Sequence, residues 1–92
     1  MDLDKYAMLI KPAIDIAIKK HEDYNSSVKL EDYFPFGDAS YVQMLYVKCL
    51  RLVSLVDNPT PNFESTKDTV LDLINYAVFY LDYLKDKRDD KL

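Results

Sequence analysis

Lys48-x-x-Arg51 and Asp68-x-x-x-Asp72-x-x-Asn75 are the side chains whose types and spacing could do chemistry in this sequence. On a helix, residues three or four apart share a face. Lys48 and Arg51 therefore form a basic pair, and Asp68, Asp72 and Asn75 form a row at i, i+4 and i+7. The basic pair stands amid Met44, Leu45, Leu52 and Leu55, and the acid-amide row runs on into Phe79. Charges set beside apolar surface need partners, because an unpaired buried charge costs several kcal/mol. Two arrangements meet that need. One is an interhelical ion-pair network that fixes helix register. The other is a polar pocket in a bundle core, where cations meet phosphate and carboxylates meet a metal or a ribose. Arginine suits phosphate because its planar fork donates two parallel bonds.

His21 lies in Lys19-Lys20-His21-Glu22-Asp23-Tyr24-Asn25. It is either a helix C-terminal cation favoured by the helix dipole, or a pocket residue that donates to phosphate or works as an acid or base. With one histidine and one cysteine, a zinc site has too few ligands. No P-loop, glycine-rich dinucleotide fingerprint or Ser-His-Asp arrangement can be assembled, so no catalytic residue is assigned.

The elements that would position these residues are helices. The chain has one glycine, Gly37, which leaves little for the positive-φ turns of a β-rich fold. A first helix is expected from Asp2 or Asp4 to about Asp23, with Leu3, Tyr6, Ile10, Ile14, Ala17 and His21 as one stripe. Pro12 interrupts it. Because the stripe stays in phase, the expectation is one helix kinked at Ile10-Lys11 rather than two helices. Tyr24 to Gly37 reads as a connection without a clear element. In it, Tyr33, Phe34 and Phe36 either cap the bundle end or stack on a ligand. A second helix follows Gly37, capped by Asp38 or Ser40. Its inward stripe is Val42, Leu45, Cys49, Leu52 and Val56, widened by Tyr46 and Val53, and Cys49 is a buried thiol. It stops before Asp57-Asn58-Pro59-Thr60-Pro61-Asn62. The third helix starts near Glu64 or Ser65, where Ser65 and Asp68 form a capping-box-like pair, and ends near Lys85. Its main stripe is Val70, Leu73, Ile74, Ala77, Leu81 and Leu84. Leu71, Tyr76, Val78, Phe79, Tyr80 and Tyr83 fill most of the remaining circumference.

Ninety-two residues make a single domain, 1–92, with a charged tail from about 85 to 92. A chain of this size buries about 60–65% of its unfolded surface. Yet 49% of its residues are apolar and 13% aromatic, more than a small core uses. The expectation is an all-α bundle of three main helices completed by homo-oligomerisation. The net charge of −4 argues against direct nucleic-acid binding, while a small phosphorylated ligand needs only two or three cations. No stretch reads as long or apolar enough to span a membrane, and Met1-Asp2-Leu3-Asp4-Lys5 lacks the order of a signal peptide. The expected location is the cytoplasm of a bacterial host.

Lys20-His21-x-Asp23-Tyr24, Phe36-Gly37-Asp38, Lys48-x-x-Arg51-Leu52 and Glu64-Ser65-x-x-Asp68-Thr69-x-x-Asp72-Leu73-x-Asn75-Tyr76 occur in that order. Over roughly residues 15 to 85, this resembles a family of small phage and prophage proteins described as a nucleotide-modification-associated domain of unknown function. That family is in turn distantly similar to the all-α, MazG-like nucleoside triphosphate pyrophosphohydrolases. Those oligomers hold magnesium through Glu-x-x-Glu on one helix and Glu-x-x-Asp on the next. Here Lys48-x-x-Arg51 stands where Glu-x-x-Glu would be, which removes metal ligands and makes a place for phosphate.

The resemblance implies a phage-type oligomer that binds a nucleotide or nucleotide-derived signalling molecule and sequesters it without catalysis or cofactor. Its ligand residues would be His21, Asp23, Tyr24, Lys48, Arg51, Asp68, Asp72, Asn75 and Tyr76. The alternatives are a magnesium-dependent pyrophosphohydrolase using Glu64, Asp68 and Asp72, and a purely structural oligomeric module.

Overall fold

The computed structural model describes residues 1–22, 28–58 and 65–87. Among these there are three α-helices, α1 (Leu3–His21), α2 (Asp38–Asp57) and α3 (Thr66–Lys87), a 3-10 turn at Leu30–Tyr33 and no strand, so the fold is all-α. The Pro59-Pro61 loop and the tail beyond Lys87 lie outside the described residues.

The helix starts follow local chemistry. Asp2 caps α1 by accepting from the Lys5 amide at 2.8 Å. α1 then runs unbroken through Pro12. At α3 the expected capping box forms: the Asp68 amide donates to Ser65 Oγ at 3.1 Å, and the Ser65 amide to Asp68 Oδ2 at 3.4 Å. The cap of α2 differs from expectation. Its N-cap is Gly37, without a side-chain bond. Ser40 Oγ accepts instead from the Phe36 amide, at 2.9 Å. Asp38 accepts from the Tyr80 hydroxyl and from Lys87 Nζ, each at 2.9 Å, and so ties the start of α2 to the end of α3. Gly37 sits at φ 61°, ψ −131°, and a Cβ there would lie 2.6 Å from the Tyr83 hydroxyl. Both the turn and the close approach require glycine.

The core is aromatic. Tyr41, 3% exposed, stacks on Phe34 at 4.1 Å between centroids and on Tyr80 at 5.3 Å. Tyr83 leans on it at 5.0 Å, and Tyr76 meets Phe34 edge-on. Burial, then the charges of Glu31 and Asp82, push the Tyr41 hydroxyl above its ordinary value of 10.0.

Several sequence expectations give way here. The inner face of α2 carries Tyr41, Met44, Leu45, Lys48, Leu52 and Leu55: Leu45 and Leu52 of the expected stripe lie on it, while Tyr41, Lys48 and Leu55 take the places expected for Val42, Cys49 and Val56. Val42, Tyr46, Val53 and Val56 are exposed, and so is the Cys49 thiol, expected to be buried. Both faces of α2 carry an apolar heptad, and the Tyr41 stack decides which one turns inward. On α3, Val70 and Leu81 of the expected main stripe are exposed in the single chain, as is Val78. On α1, Leu3, Tyr6 and Ile14 are exposed, while Ala13 is buried against α3. Of the aromatic connection only Phe34 is buried; Tyr33 and Phe36 are exposed. Contrary to expectation, α2 is by length and composition just long and apolar enough to cross a membrane, with a hydropathy of 1.2. It carries Lys48 and Arg51, and Lys48 bonds to α3.

Candidate functional site

Lys48 and Asp72 do face one another across the α2–α3 seam. Lys48 Nζ donates to Asp72 Oδ2 at 3.1 Å, and the two side chains are 15% and 20% exposed. The same ammonium lies 5.9 Å from the centre of the Tyr76 ring, within the range of a cation–π contact. One turn along, Asn75 Nδ2 donates to the backbone carbonyl of Ala13 at 3.0 Å. A residue as small as Ala13 allows α1 to come that close. Asp72 thus faces α2 while Asn75 binds α1, and α3 supplies the central wall of the site.

Beside this wall is a cleft of ≈ 90 Å³ lined by Asp72, Asn75, Tyr76 and Phe79 from α3, Lys20 from α1, and the 3-10 turn with Phe34. An apolar hollow of ≈ 290 Å³ adjoins it, sharing Leu30 and Phe79 and adding Ala17, Ile18 and His21. The cleft alone is smaller than pockets for drug-sized ligands, about 300–1,000 Å³, and the two hollows together reach that range.

Comparison with known protein families, curated proteins and solved structures finds no match to this chain.

Of the residues expected from the sequence to bind ligand, Asp72, Asn75 and Tyr76 line the cleft and His21 lines the adjoining hollow. Lys48 reaches the group through Asp72. Asp68 does not join them: it is exposed and serves the cap of α3. Arg51 is exposed on α2 and lines neither hollow. Asp23, Tyr24 and Glu64 lie outside the described residues. Among the described residues no cluster of three His, Cys, Asp or Glu could hold a metal ion. Of the carboxylates a magnesium site would use, Asp68 is engaged by the Ser65 amide and Asp72 by Lys48.

Sequence reasoning left out Lys20, Leu30 and Phe79 as ligand residues, while Tyr33 and Phe34, two of the rings expected either to cap the bundle or to stack on a ligand, both line the cleft. Phe79 was within reach, four residues beyond Asn75 on the same face. Lys20 neighbours His21, but its part in the cleft depends on the 3-10 turn folding over α3, which helical periodicity does not report.

The Lys48–Asp72 pair has a measurable consequence. Lys48→Met or Asp72→Leu alone leaves one largely buried charge without its partner and is expected to cost about 1–3 kcal/mol. The double variant should recover most of that loss. Urea denaturation of the four proteins gives the coupling energy; three variants all within about 0.5 kcal/mol of the parent would mean a solvated pair of no structural weight.

Proposed function

We propose that this chain is the subunit of a helical homo-oligomer that binds a nucleotide or nucleotide-derived signalling molecule and sequesters it without turning it over. One observation carries the reading: cation, carboxylate, amide and phenol converge on one cleft that opens beside an apolar hollow edged by His21. A nucleotide has that same division into a polar sugar-phosphate and a flat apolar ring. The resemblance to small phage proteins described as a nucleotide-modification-associated domain supports the same ligand class, and with it the cytoplasm of a bacterial host as the location. Lys48 acts by holding Asp72 rather than by meeting phosphate itself, and phosphate falls to Lys20 and His21 at the rim.

The magnesium-dependent pyrophosphohydrolase is the weaker alternative, since Asp68 and Asp72 are already engaged and Lys48 adds repulsion to any cation. Isothermal titration of the intact protein against mono-, di-, tri- and cyclic nucleotides tests the proposal. Binding of at least one, with no phosphate or pyrophosphate released in the presence of magnesium, is the expected outcome. Absence of binding across the panel overturns it in favour of a purely structural module, and metal-dependent release favours the hydrolase.

Self-association rests on the outer face of α2. Val42, Tyr46, Cys49, Val53 and Val56 recur at steps of four and three, the spacing of a coiled-coil seam, and all are exposed. A second copy packing there about a two-fold axis would bury the stripe on both subunits. In this reading the kink that Pro12 imposes on α1 swings Leu3 and Tyr6 toward a neighbouring subunit.

A further inference from the structure

Hydrogen-bonding capacity in the cleft is only partly used. Asp72 accepts from Lys48 through Oδ2, which leaves Oδ1 as an acceptor on a carboxylate whose charge Lys48 partly balances. Asn75 gives an amide hydrogen to the Ala13 carbonyl, which leaves its Oδ1 as a second acceptor. Both residues line the cleft. They are three apart on α3, so their Cβ atoms are neighbours at about 5–6 Å. Two adjacent acceptors, one of them charged, complement two adjacent donors. Ionised phosphate has no donor to offer and is repelled by a carboxylate. A vicinal diol offers two hydroxyl donors on neighbouring carbons.

The surroundings specify what the diol is attached to. Leu30 and Phe79 form the boundary between the cleft and the apolar hollow, where Ala17 and Ile18 extend the surface for a flat ring. Lys20, exposed on the last turn of α1, brings a cation to the same cleft.

We infer that the cleft reads the 2′,3′-diol of a ribonucleoside 5′-phosphate. Asp72 Oδ1 and Asn75 Oδ1 accept from the two hydroxyls, the base lies in the hollow against Leu30 and Phe79, and the phosphate meets Lys20. This rests on the nucleotide-binding reading and narrows it: the site selects ribose over deoxyribose. Selection follows because a deoxynucleotide leaves one acceptor without its donor, and a site built to bond a hydroxyl rejects the analogue that lacks it.

The experiment changes the ligand and not the protein, so folding is not in question. The intact chain is titrated calorimetrically with AMP, GMP, CMP and UMP, with their 2′-deoxy counterparts, and with inorganic phosphate. At least one ribonucleotide should bind, and its 2′-deoxy counterpart should bind about tenfold or more weakly, the loss expected for one hydrogen bond to a charged acceptor. Equal affinity for the two sugars overturns this inference and leaves nucleotide binding in place. Binding of cyclic or triphosphate nucleotides without any monophosphate also overturns it alone. No binding by any nucleotide overturns the underlying reading as well.

Discussion

Tyr41→Ala is expected to lower the folding stability by about 3–5 kcal/mol, the range for removing a fully buried aromatic side chain. Tyr41 is the hub of the α2–α3 interface: its ring lies 4.1 Å from Phe34, 5.0 Å from Tyr83 and 5.3 Å from Tyr80. Among the described residues the apolar core is small, with Ala13, Phe34 and Leu71 beside Tyr41. A domain of this size has about 5–14 kcal/mol of stability in total, so the variant loses about a fifth of it or more. Circular dichroism during urea unfolding measures the loss. Tyr41→Phe keeps the stack and should cost far less. A Tyr41→Ala midpoint within error of the parent would mean that the rings do not hold α2 on α3. The hydroxyl also gives a pH signature. Its folded-state value is raised above 10.0, so the neutral phenol belongs to the folded state. Stability is intact below pH 10 and falls as pH rises through the folded value, and Tyr41→Phe should remove that part of the alkaline loss.

The same ring explains which parts of the fold could be read in advance. The all-α class and the three helices follow from the scarcity of glycine and from periodicity, and Ser65-x-x-Asp68 marks the start of α3 within a residue or two. The rotation of α2 about its own axis does not follow. Its two apolar heptads, Tyr41-Leu45-Lys48-Leu52-Leu55 and Val42-Tyr46-Cys49-Val53-Val56, differ by one position. A count of apolar residues sets Val42, Cys49 and Val56 beside Leu45 and Leu52, because the first heptad contains a lysine. Only the fit of Tyr41 between Phe34 and Tyr80, together with Asp38 on the Tyr80 hydroxyl, selects the first.

The candidate site was half legible for a similar reason. Spacing along one helix placed Asp72, Asn75 and Tyr76 together, and charge complementarity placed Lys48 opposite them. The same logic included Asp68, one turn nearer the α3 start and engaged in its cap, and Arg51, which is exposed and lines neither hollow. Lys20, Leu30 and Tyr33 come from segments distant in sequence and joined by a 3-10 turn with no sequence period of its own.

The displaced heptad leads to the second large effect. Tyr46→Glu/Val53→Glu is expected to convert an oligomer into a monomer of 10.8 kDa by sedimentation equilibrium at micromolar concentration. Tyr46 and Val53 are 62% and 59% exposed in the single chain, so glutamates there face water and the helical signal of the subunit should be unchanged. In a two-fold α2–α2 seam each substitution occurs twice. Four carboxylates would then lose solvent in one apolar interface, at a cost of several kcal/mol each after relaxation. Even half that sum weakens association more than a thousandfold. Cys49 provides an independent reading, since it lies between Tyr46 and Val53 on the same exposed stripe. If the two-fold axis passes near the middle of α2, the two thiols come within bridging distance. Mild oxidation of the parent protein should then yield a covalent dimer that Cys49→Ser abolishes. A parent chain that sediments as a monomer across the micromolar range would leave the outer stripe without a partner copy and remove the oligomer from the proposal.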